Sequence, residues 1–337
     1  MFFFQGLPTK PILSRAARLG ILFFLLLGAP LYGKDRLRVA VAGFDGTSDF
    51  LVLIAQGAKL FEKQGLNVEV IAITGAAPST SALSRGEIDL DVRAPVSAIQ
   101  TRLKGLDPVF VASALNYLDY TIVTRADIAN VQDLKGKKVG IVRFGGITDL
   151  LARYLFRSAG LEPVREFALL QVGPPAARIS ALQAKGIDAT ILPPSQEYSA
   201  IKAGLKTLDI PSVPLLSGVV VAREAFVKSE RSTVSRFLRA YVEAIHFFFT
   251  RKEETLNIMS RVYRSQDRGW VEHLYKNHQQ HQIGRKPFPN WDGVKAMLDV
   301  MASDTPAVKQ IQPKQLFDLS VLEELDKSGF IDNLYKK

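Results

Sequence analysis

The sequence predicts an α/β fold made of two similar lobes with a cleft between them. From residue 35 onward, strands, glycine loops and helices alternate, beginning with a strand at 37–42 and a loop at 43–48. The same order returns about 100 residues later, with a strand at 138–142 and a glycine turn at 144–146. A chain of 337 residues with ordinary globular composition has room for two such units.

An internal duplication is the second observation that predicts this fold. Leu182 and Asp188 lie 99 residues after Leu83 and Asp89, at matching points of the two units. A repeat of this length is too long for a solenoid. Two α/β units that each present loops at the carboxyl ends of their strands are typical of proteins with a ligand cleft.

Two crossings of the chain between the lobes are the third observation. Strands expected at 109–114 and 120–124 lead into the second lobe, and the apolar run at 218–222 returns the chain to the first. After the return, the pattern is mainly helical. The predicted limits are a first lobe of residues 34–123 and 216–337 and a second lobe of residues 124–215.

Residues 1–33 have the pattern of a secretory signal peptide. Lys10, Arg15 and Arg18 precede an apolar run that is about half as long as a transmembrane helix requires. Cleavage near Ala29 or Gly33 is expected, with retention as an uncleaved anchor as the alternative. The chain has no cysteine, so no lipid can be attached at the signal boundary. An exported protein without an anchor is retained only inside an outer membrane, and we therefore expect the periplasm.

The charge of the chain does not indicate a nucleic-acid partner. The net charge is +10, and about +7 without the first 33 residues. Lys and Arg are scattered among acids and form no basic stripe interleaved with aromatic residues. Surface solubility, or docking to a membrane-bound partner, explains this charge better.

Three motifs in order carry a resemblance to a known family: FEKQGLNV at 61–68, GEID at 86–89 and DLKGKKVG at 133–140. The chain resembles the substrate-binding proteins of nitrate/sulfonate/taurine-type ABC transporters, which are related to thiamine-pyrimidine-precursor binding proteins. The resemblance covers nearly all of the chain after the signal peptide. It implies a type II periplasmic-binding-protein fold with a two-strand hinge and a small organic ligand. It also implies delivery to an ABC permease in the inner membrane, without catalysis or cofactor, and we expect a monomer.

The resemblance also implies which loops face the ligand. With Asn116 near the first crossing added, the predicted ligand-binding residues are Phe44, Gly46, Thr47, Ser48, Thr74, Gly75, Ala76, Arg93, Ala94, Asn116, Phe144, Gly145, Gly146, Ile147, Thr148, Pro194 and Ser195. Sulfonate-binding relatives often carry Trp-Asp-Pro in the last loop, where this chain has Leu192, Pro193 and Pro194. The ligand therefore should not be copied from those relatives.

The starts of two helices bear on the charge of the ligand. Ser48 and Thr148 are expected N-caps, and the backbone N–H groups beside them could meet a ligand. Asp49 and Asp149 follow them. An acid in the first turn already satisfies the helix dipole and weakens the attraction for a highly charged anion. We therefore expect a neutral, zwitterionic or singly charged ligand.

Three predicted residues have alternative roles. Arg93 at the end of a strand either anchors a carboxylate or sulfonate through two hydrogen bonds or is a structural arginine. Phe44 and Phe144 occupy matching places in the two lobes. They either sandwich a planar or apolar ligand, or at least one of them fills the core.

Other kinds of site fit the sequence less well. The glycine loops complete neither G-x-G-x-x-G nor a P-loop, so no nucleotide site is expected. The spacing of Glu272, His273, His278 and His281 matches no zinc pattern, so no metal site is expected. The chain also has neither G-x-S-x-G nor a cysteine nucleophile.

Two other functions stay open. Some relatives with this fold synthesise the thiamine pyrimidine, consuming an active-site histidine and using a pyridoxal cofactor held by lysine. The first histidine of this chain is His246, beyond both sets of ligand loops. The second alternative is a ligand-sensing or partner-docking module that keeps the fold without transport.

Overall fold

The computed structural model describes residues 35–43, 49–118, 120–162, 165–208, 214–280 and 283–336. The predicted signal peptide therefore lies outside the described residues, as does the loop of residues 44–48. Among the helices that are described, none is both long and apolar enough to cross a membrane.

Two five-stranded sheets organise the chain. The first sheet has the strand order β2-β1-β3-β10-β4, with β1 parallel to β3 and β10 antiparallel to both β3 and β4. Its strands are β1 (Asp35–Val41), β2 (Leu66–Ala72), β3 (Leu90–Arg93), β4 (Pro108–Tyr117) and β10 (Pro214–Arg223). The helices that alternate with them are α1 (Phe50–Gly57), α2 (Leu60–Lys63), α3 (Ala76–Arg85) and α4 (Val96–Leu103). We call this sheet and the helices packed on it the first lobe.

The second sheet repeats this topology, with the order β7-β6-β8-β5-β9. Here β6 is parallel to β7 and β8, and β5 is antiparallel to β8 and β9. Its strands are β5 (Thr121–Thr124), β6 (Lys138–Ile141), β7 (Ala168–Gln171), β8 (Ala189–Leu192) and β9 (Lys206–Leu208). A 3₁₀ helix (Val131–Leu134) and the helices α5 (Ile147–Ser158), α6 (Pro175–Gln183) and α7 (Pro194–Lys202) join them. This sheet and its helices form the second lobe.

The duplication is visible in matching hydrogen bonds. Asp89 accepts the backbone N–H of Arg38 at 2.8 Å, and Asp188 accepts that of Lys138, also at 2.8 Å. Each acid therefore ties the strand that begins directly after it, β3 or β8, to the first strand of its repeat unit, β1 or β6. A partly buried carboxylate that accepts a backbone N–H forms a strong, charge-assisted bond, which explains why both units carry aspartate at this point.

The C-terminal region is helical, as the sequence predicts. Helix α9 (Arg231–Thr250) buries Phe237, Leu238, Tyr241 and Ile245, which lie on one stripe of the helix, in one core with the first sheet. The remaining elements are α8 (Glu224–Ser229), α9 (Arg231–Thr250), α10 (Lys252–Val262), α11 (Arg268–Gln280), α12 (Trp291–Ala302), α13 (Ser320–Lys327) and α14 (Phe330–Asn333), with 3₁₀ helices at Pro306–Gln310 and Pro313–Leu316.

The chain crosses between the sheets twice, between β4 and β5 and again between β9 and β10. Helix α12 packs on β10 and joins a core that contains Phe110 of the first sheet and Ile122 and Ile141 of the second. The predicted architecture of two α/β lobes linked by two strands is thus confirmed. The exact limits of the lobes stay a prediction.

Candidate functional site

A cavity of about 320 Å³ lies between the loops of the two lobes. The first lobe contributes the residue after β1, the start of α3, the end of β3 and the first turns of α4. The second lobe contributes the residues between β6 and α5 and the first turn of α5. The described lining residues are Ala42, Gly75, Ala76, Arg93, Ala94, Val96, Ser97, Gln100, Val142, Arg143, Gly145, Gly146 and Thr148. The cavity therefore lies where ligands bind in open α/β sheets, beyond the carboxyl ends of the strands.

Several predicted site residues meet at this cavity. Those that line it are Gly75, Ala76, Arg93, Ala94, Gly145, Gly146 and Thr148. The predicted residues Phe44, Gly46, Thr47 and Ser48 lie outside the described residues, and the side chain of Ile147 is not described either. The loops of the two repeats thus approach each other although they are about 50 residues apart in sequence at their closest, from Ala94 to Gly145.

Other predicted residues do not line this cavity. Thr74 is exposed, and the ring of Phe144 is 51% exposed. Pro194 and Ser195 are buried at the start of α7, where the Ser195 carbonyl accepts the indole N–H of Trp270 at 2.9 Å. Phe144 therefore fills no core, and its predicted pairing with Phe44 involves a residue outside the described part of the chain.

Asn116 is engaged within the protein. Its side-chain amide donates to the carbonyls of Ser113, at 3.2 Å, and Phe288, at 2.8 Å. Its Oδ1 accepts the backbone N–H of Asn290 at 2.9 Å. These bonds fix the segment that leads into α12 beside the crossing strands, which favours a structural role for this residue over ligand contact.

Part of the cavity wall lies beyond the predicted ligand loops, because the last such loop of the first lobe was expected to end at Pro95. Helix α4 begins directly after that proline, and Ser97 and Gln100 on its first turns line the cavity. Their spacing of three residues puts them on one face of the helix. Two polar residues three positions apart after a proline could have predicted that this helix face lines the cavity. The remaining lining residues that the analysis missed are Ala42, Val96, Val142 and Arg143.

Arg93 is held on one side and unpaired on the other. The residue is 4% exposed, its Nε donates to Asp91 Oδ1 at 2.6 Å, and its Nη1 donates to the Gly75 carbonyl at 3.2 Å. Its Nη2 is buried without a hydrogen-bond partner. Burial raises the pKa of Asp91, against the opposing effect of the Arg93 charge. A buried cationic donor without an acceptor is unfavourable, so this site favours a ligand that supplies one.

Ser97 adds a second unpaired group to the same wall. It is 9% exposed, and its Oγ is buried without a hydrogen-bond partner. It lies in the first turn of α4, which contains no acid. The N–H groups of a first helical turn have no partners within the helix and carry a partial positive charge. With Arg93 and Arg143 present and no carboxylate among the described lining residues, this wall is electropositive.

The expectation that Thr148 caps a helix is wrong. Helix α5 begins at Ile147 with Gly146 as its N-cap, and Thr148 lies inside the first turn. The Thr148 Oγ1 instead accepts the backbone N–H of Val142 at 3.0 Å, which ties the helix to the end of β6. A glycine with extended backbone can take the cap position, and the threonine hydroxyl is then free to satisfy the strand end.

Two aspartates hold the glycine turns of the two lobes. Asp149 lies in the first turn of α5, as expected, and its carboxylate accepts the Gly145 N–H and the Arg153 Nε, both at 2.8 Å. In the first lobe, Asp49 is the N-cap residue of α1 and accepts the Gly43 N–H at 3.2 Å. Each of these acids therefore holds the backbone of a glycine that precedes its own helix.

A buried arginine braces the second lobe as Arg93 braces the first. Arg178 is 1% exposed, and its guanidinium donates to the Gly173 carbonyl at 3.1 Å and to Thr190 Oγ1 at 2.9 Å. Burial lowers the pKa of Arg178 to about 10, so it stays protonated at neutral pH. Arg178 does not line the cavity. Of Arg93 and Arg178, only Arg93 lies at the cavity, where its charge can interact with a ligand.

The described cavity wall contains neither histidine nor lysine. Of the histidines on α11, His278 is buried and stacks on the ring of Phe50 at 4.1 Å, and His273 lies 3.3 Å from Glu197. Among the described residues, no group of three or more His, Asp or Glu side chains could hold a metal ion. His281 lies outside the described residues.

The two lobes with the cavity between them define a class, the periplasmic-binding-protein fold. Solved structures with this fold include the aliphatic sulphonate binding protein SsuA of Escherichia coli (TM-score 0.66, 17% identity, 85% of this chain and 91% of that chain). They also include the nitrate-binding protein NrtA of Synechocystis PCC 6803 (TM-score 0.61, 15% identity, 87% of this chain and 88% of that chain). Both are described as periplasmic.

The chain belongs to the NMT1/THI5 like family, whose sequence model matches residues 49–255. A curated relative, 4-amino-5-hydroxymethyl-2-methylpyrimidine phosphate synthase of Saccharomyces cerevisiae, is 24% identical over 220 residues, which cover 58% of this chain and 62% of the relative. The chain spans between 29% and 64% of the lengths of the curated relatives that it matches. Curated relatives of the chain therefore include proteins named as synthases and one named as a putative ABC transporter periplasmic binding protein.

Proposed function

We propose that this protein captures a small organic molecule in the cavity between its lobes and delivers it to an ABC permease in the inner membrane. The observation that carries this proposal is the cavity itself, whose wall is built from loops of both lobes. A ligand that contacts both lobes stabilises the closed arrangement, and the permease then recognises that arrangement. The protein acts in the periplasm, as a monomer and without a cofactor.

The ligand carries no more than one net charge, and a singly charged carboxylate or sulfonate fits the wall best. Arg93 Nη2 and Ser97 Oγ are two buried donors without acceptors on the same wall, beside the N-terminus of α4. An oxyanion group would satisfy both, and the opening of the cleft would make them accessible. In the second lobe, Asp149 already accepts the turn N–H that could bind a second anionic group.

The first experiment asks whether the cavity holds a ligand. Native mass spectrometry of the purified protein should detect a retained small molecule. A Cβ on Gly146 would lie 3.2 Å from the Cγ of Arg143, so Gly146→Leu displaces that side chain and fills the cavity. This variant should lose the molecule and keep the far-ultraviolet circular dichroism of the wild type. Ala126→Leu, an exposed position in the second lobe, is the control that should keep the molecule. Equal retention by Gly146→Leu would contradict the site.

The second experiment asks whether Arg93 binds an anionic group. A thermal-shift screen compares small carboxylates and sulfonates with their uncharged amides and with dianions. A monoanion should raise the melting temperature of the wild type and bind Arg93→Met at least tenfold more weakly, because a charge-assisted hydrogen bond contributes roughly 1.5–3 kcal/mol. The same melting shift of the variant should therefore need at least tenfold more ligand. Arg102→Met, on the same helix as Ser97 but outside the cavity wall, is the control. Stabilisation by the dianion alone would refute the proposed charge of the ligand.

A biosynthetic enzyme is the second candidate, because curated relatives of the chain are named as pyrimidine phosphate synthases. The described cavity wall does not fit that chemistry, since it has no lysine for a pyridoxal cofactor and no histidine to consume. Incubation with pyridoxal phosphate should therefore give neither the absorbance of a lysine Schiff base nor a pyrimidine product. Appearance of both would establish the enzyme. A protein that binds a ligand but does not stimulate a co-reconstituted permease would instead be a sensing or docking module.

A further inference from the structure

Helix α7 of the second lobe packs against helix α11 of the first lobe. Helix α7 is fixed in its own lobe, because Ala200 lies in a core with Val123 and Leu192 of the second sheet. Helix α11 is fixed in the other lobe, because Val271 and Leu274 lie in the core of the first sheet. Their contact therefore joins the lobes in addition to the two chain crossings.

Buried and partly buried hydrogen bonds hold this contact together. Glu197 of α7 is 8% exposed, and its Oε2 accepts the Asn277 side-chain N–H at 3.3 Å and lies 3.3 Å from His273 Nε2. The Trp270 indole N–H donates to the Ser195 carbonyl at 2.9 Å. Trp270, His273 and Asn277 belong to α11, and Ser195 and Glu197 belong to α7. Because Glu197 is buried, its contacts have a more defined geometry than a contact between exposed side chains.

An exposed ion pair lies at the edge of this contact. Lys202 Nζ of α7 is 2.9 Å from Asp267, directly before α11. Both side chains are largely exposed, so solvent screens their attraction. The buried bonds, and not this pair, therefore determine how strongly the two helices hold together.

We propose that α7 and α11 form an interlobe clasp that keeps the two lobes together before any ligand binds. The clasp consists of Ser195 and Glu197 on one side and Trp270, His273 and Asn277 on the other, with Glu197 as its central acceptor. Separation of the lobes breaks every one of these bonds at once, because all of them cross the same boundary. Release of the clasp is thus the step that opens the cavity, whichever ligand the protein takes.

The absence of cysteine from the chain allows a direct test. Ile201→Cys on α7 and Lys276→Cys on α11 introduce two exposed positions for spin labels, one on each side of the clasp. Double electron–electron resonance of the ligand-free protein should give one narrow distance distribution. Glu197→Ala in this background should lower the ratio of closed to open protein by about tenfold or more, since a hydrogen bond to a charged group is lost. A longer and broader distance distribution would report this change.

Two further variants make the test specific. Trp270→Phe keeps an aromatic ring against Tyr263 and removes only the donor to Ser195, so it should also lengthen the distance. Arg268→Gln on the same helix disrupts ion pairs with Glu253 and Glu272 within the first lobe, and it should keep the wild-type distance. The clasp is overturned if Glu197→Ala and Trp270→Phe, folded by circular dichroism, both keep the wild-type distance. It is equally overturned if Arg268→Gln opens the lobes as far, or if the unmutated clasp already gives a broad, open distribution.

Discussion

At the scale of single residues, two arginines show how burial and neighbours divide roles between identical side chains. Arg93 has an acidic partner and keeps one nitrogen unpaired at the cavity, whereas Arg178 has neutral partners and lies away from it. Thr190, which bonds Arg178, lies 99 residues after Asp91, which bonds Arg93. The two lobes therefore use the same strand position to fix an arginine that comes from different elements.

Replacement of Arg178 by methionine should destabilise the protein without touching the cavity. The change removes donors from the partly buried Gly173 carbonyl and the buried Thr190 hydroxyl, and each acceptor left unsatisfied costs about 1–3 kcal/mol. We expect the free energy of unfolding, measured by urea titration, to fall by about 2–4 kcal/mol. Arg157→Met, at a largely exposed arginine on α5, is the control that should stay within about 0.5 kcal/mol of the wild type. An equal effect of the two substitutions would contradict the bracing role of Arg178.

At the scale of elements, helix α12 lies unusually close to the strands at the crossing. A Cβ on Gly293 would lie 3.0 Å from the Leu215 backbone nitrogen and 3.1 Å from the Asn116 carbonyl oxygen. Asn290, the N-cap residue of α12, is itself held by the Asn116 side chain. Both crossing strands are therefore in contact with the first turn of one helix, which explains why Asn116 is engaged there.

Gly293→Ala should be destabilising, although alanine is the better helix former. In an ordinary helix, this substitution stabilises by about 0.5–1 kcal/mol. Here the added methyl group meets backbone atoms of two strands, which do not move independently, and overpacking costs about 1–3 kcal/mol. We expect a net loss of about 1–2 kcal/mol in urea unfolding. Lys295→Ala, exposed on the same helix, is the control, and a gain in stability for Gly293→Ala would refute the close packing.

At the scale of the whole molecule, the lobes share a hydrophobic core. Phe110 and Val221 of the first sheet, Ile122 and Ile141 of the second, and Met297 of α12 belong to one cluster of buried residues. Hydrophobic residues that lose water together unfold together, because exposure of one lobe would also expose its neighbour. The two lobes should therefore behave as one unit in unfolding even though they can separate at the cavity.

Unfolding should accordingly show one transition. Tryptophan fluorescence reports on Trp270 and Trp291, and far-ultraviolet circular dichroism reports on the helices of both lobes. We expect the two signals to coincide during urea titration. Met297→Ala should lower both midpoints together, with a loss of about 2–5 kcal/mol in the free energy of unfolding. Separate transitions in the wild type would indicate that the lobes are independently stable.

The periodic features of this protein follow from its sequence alone. The order of strand, glycine turn and helix, its repetition after 99 residues, and the two crossings are all patterns of local spacing, and the sheets follow them. From these the position of the cleft follows, because loops at the carboxyl ends of strands face one side. The stripe of apolar residues on α9 is predictable for the same reason.

The side chains that form the cavity wall and those that hold the lobes together are identified from tertiary packing and not from the sequence pattern. The sequence left open whether Arg93 binds a ligand or supports the fold. Its contacts with Asp91 and Gly75 support the fold, and its unpaired nitrogen is suited to bind a ligand. The contact of Glu197 with Asn277 joins residues 80 positions apart. Such contacts depend on how whole elements pack. The spacing of residues along the chain does not indicate the distance in space between residues of different elements.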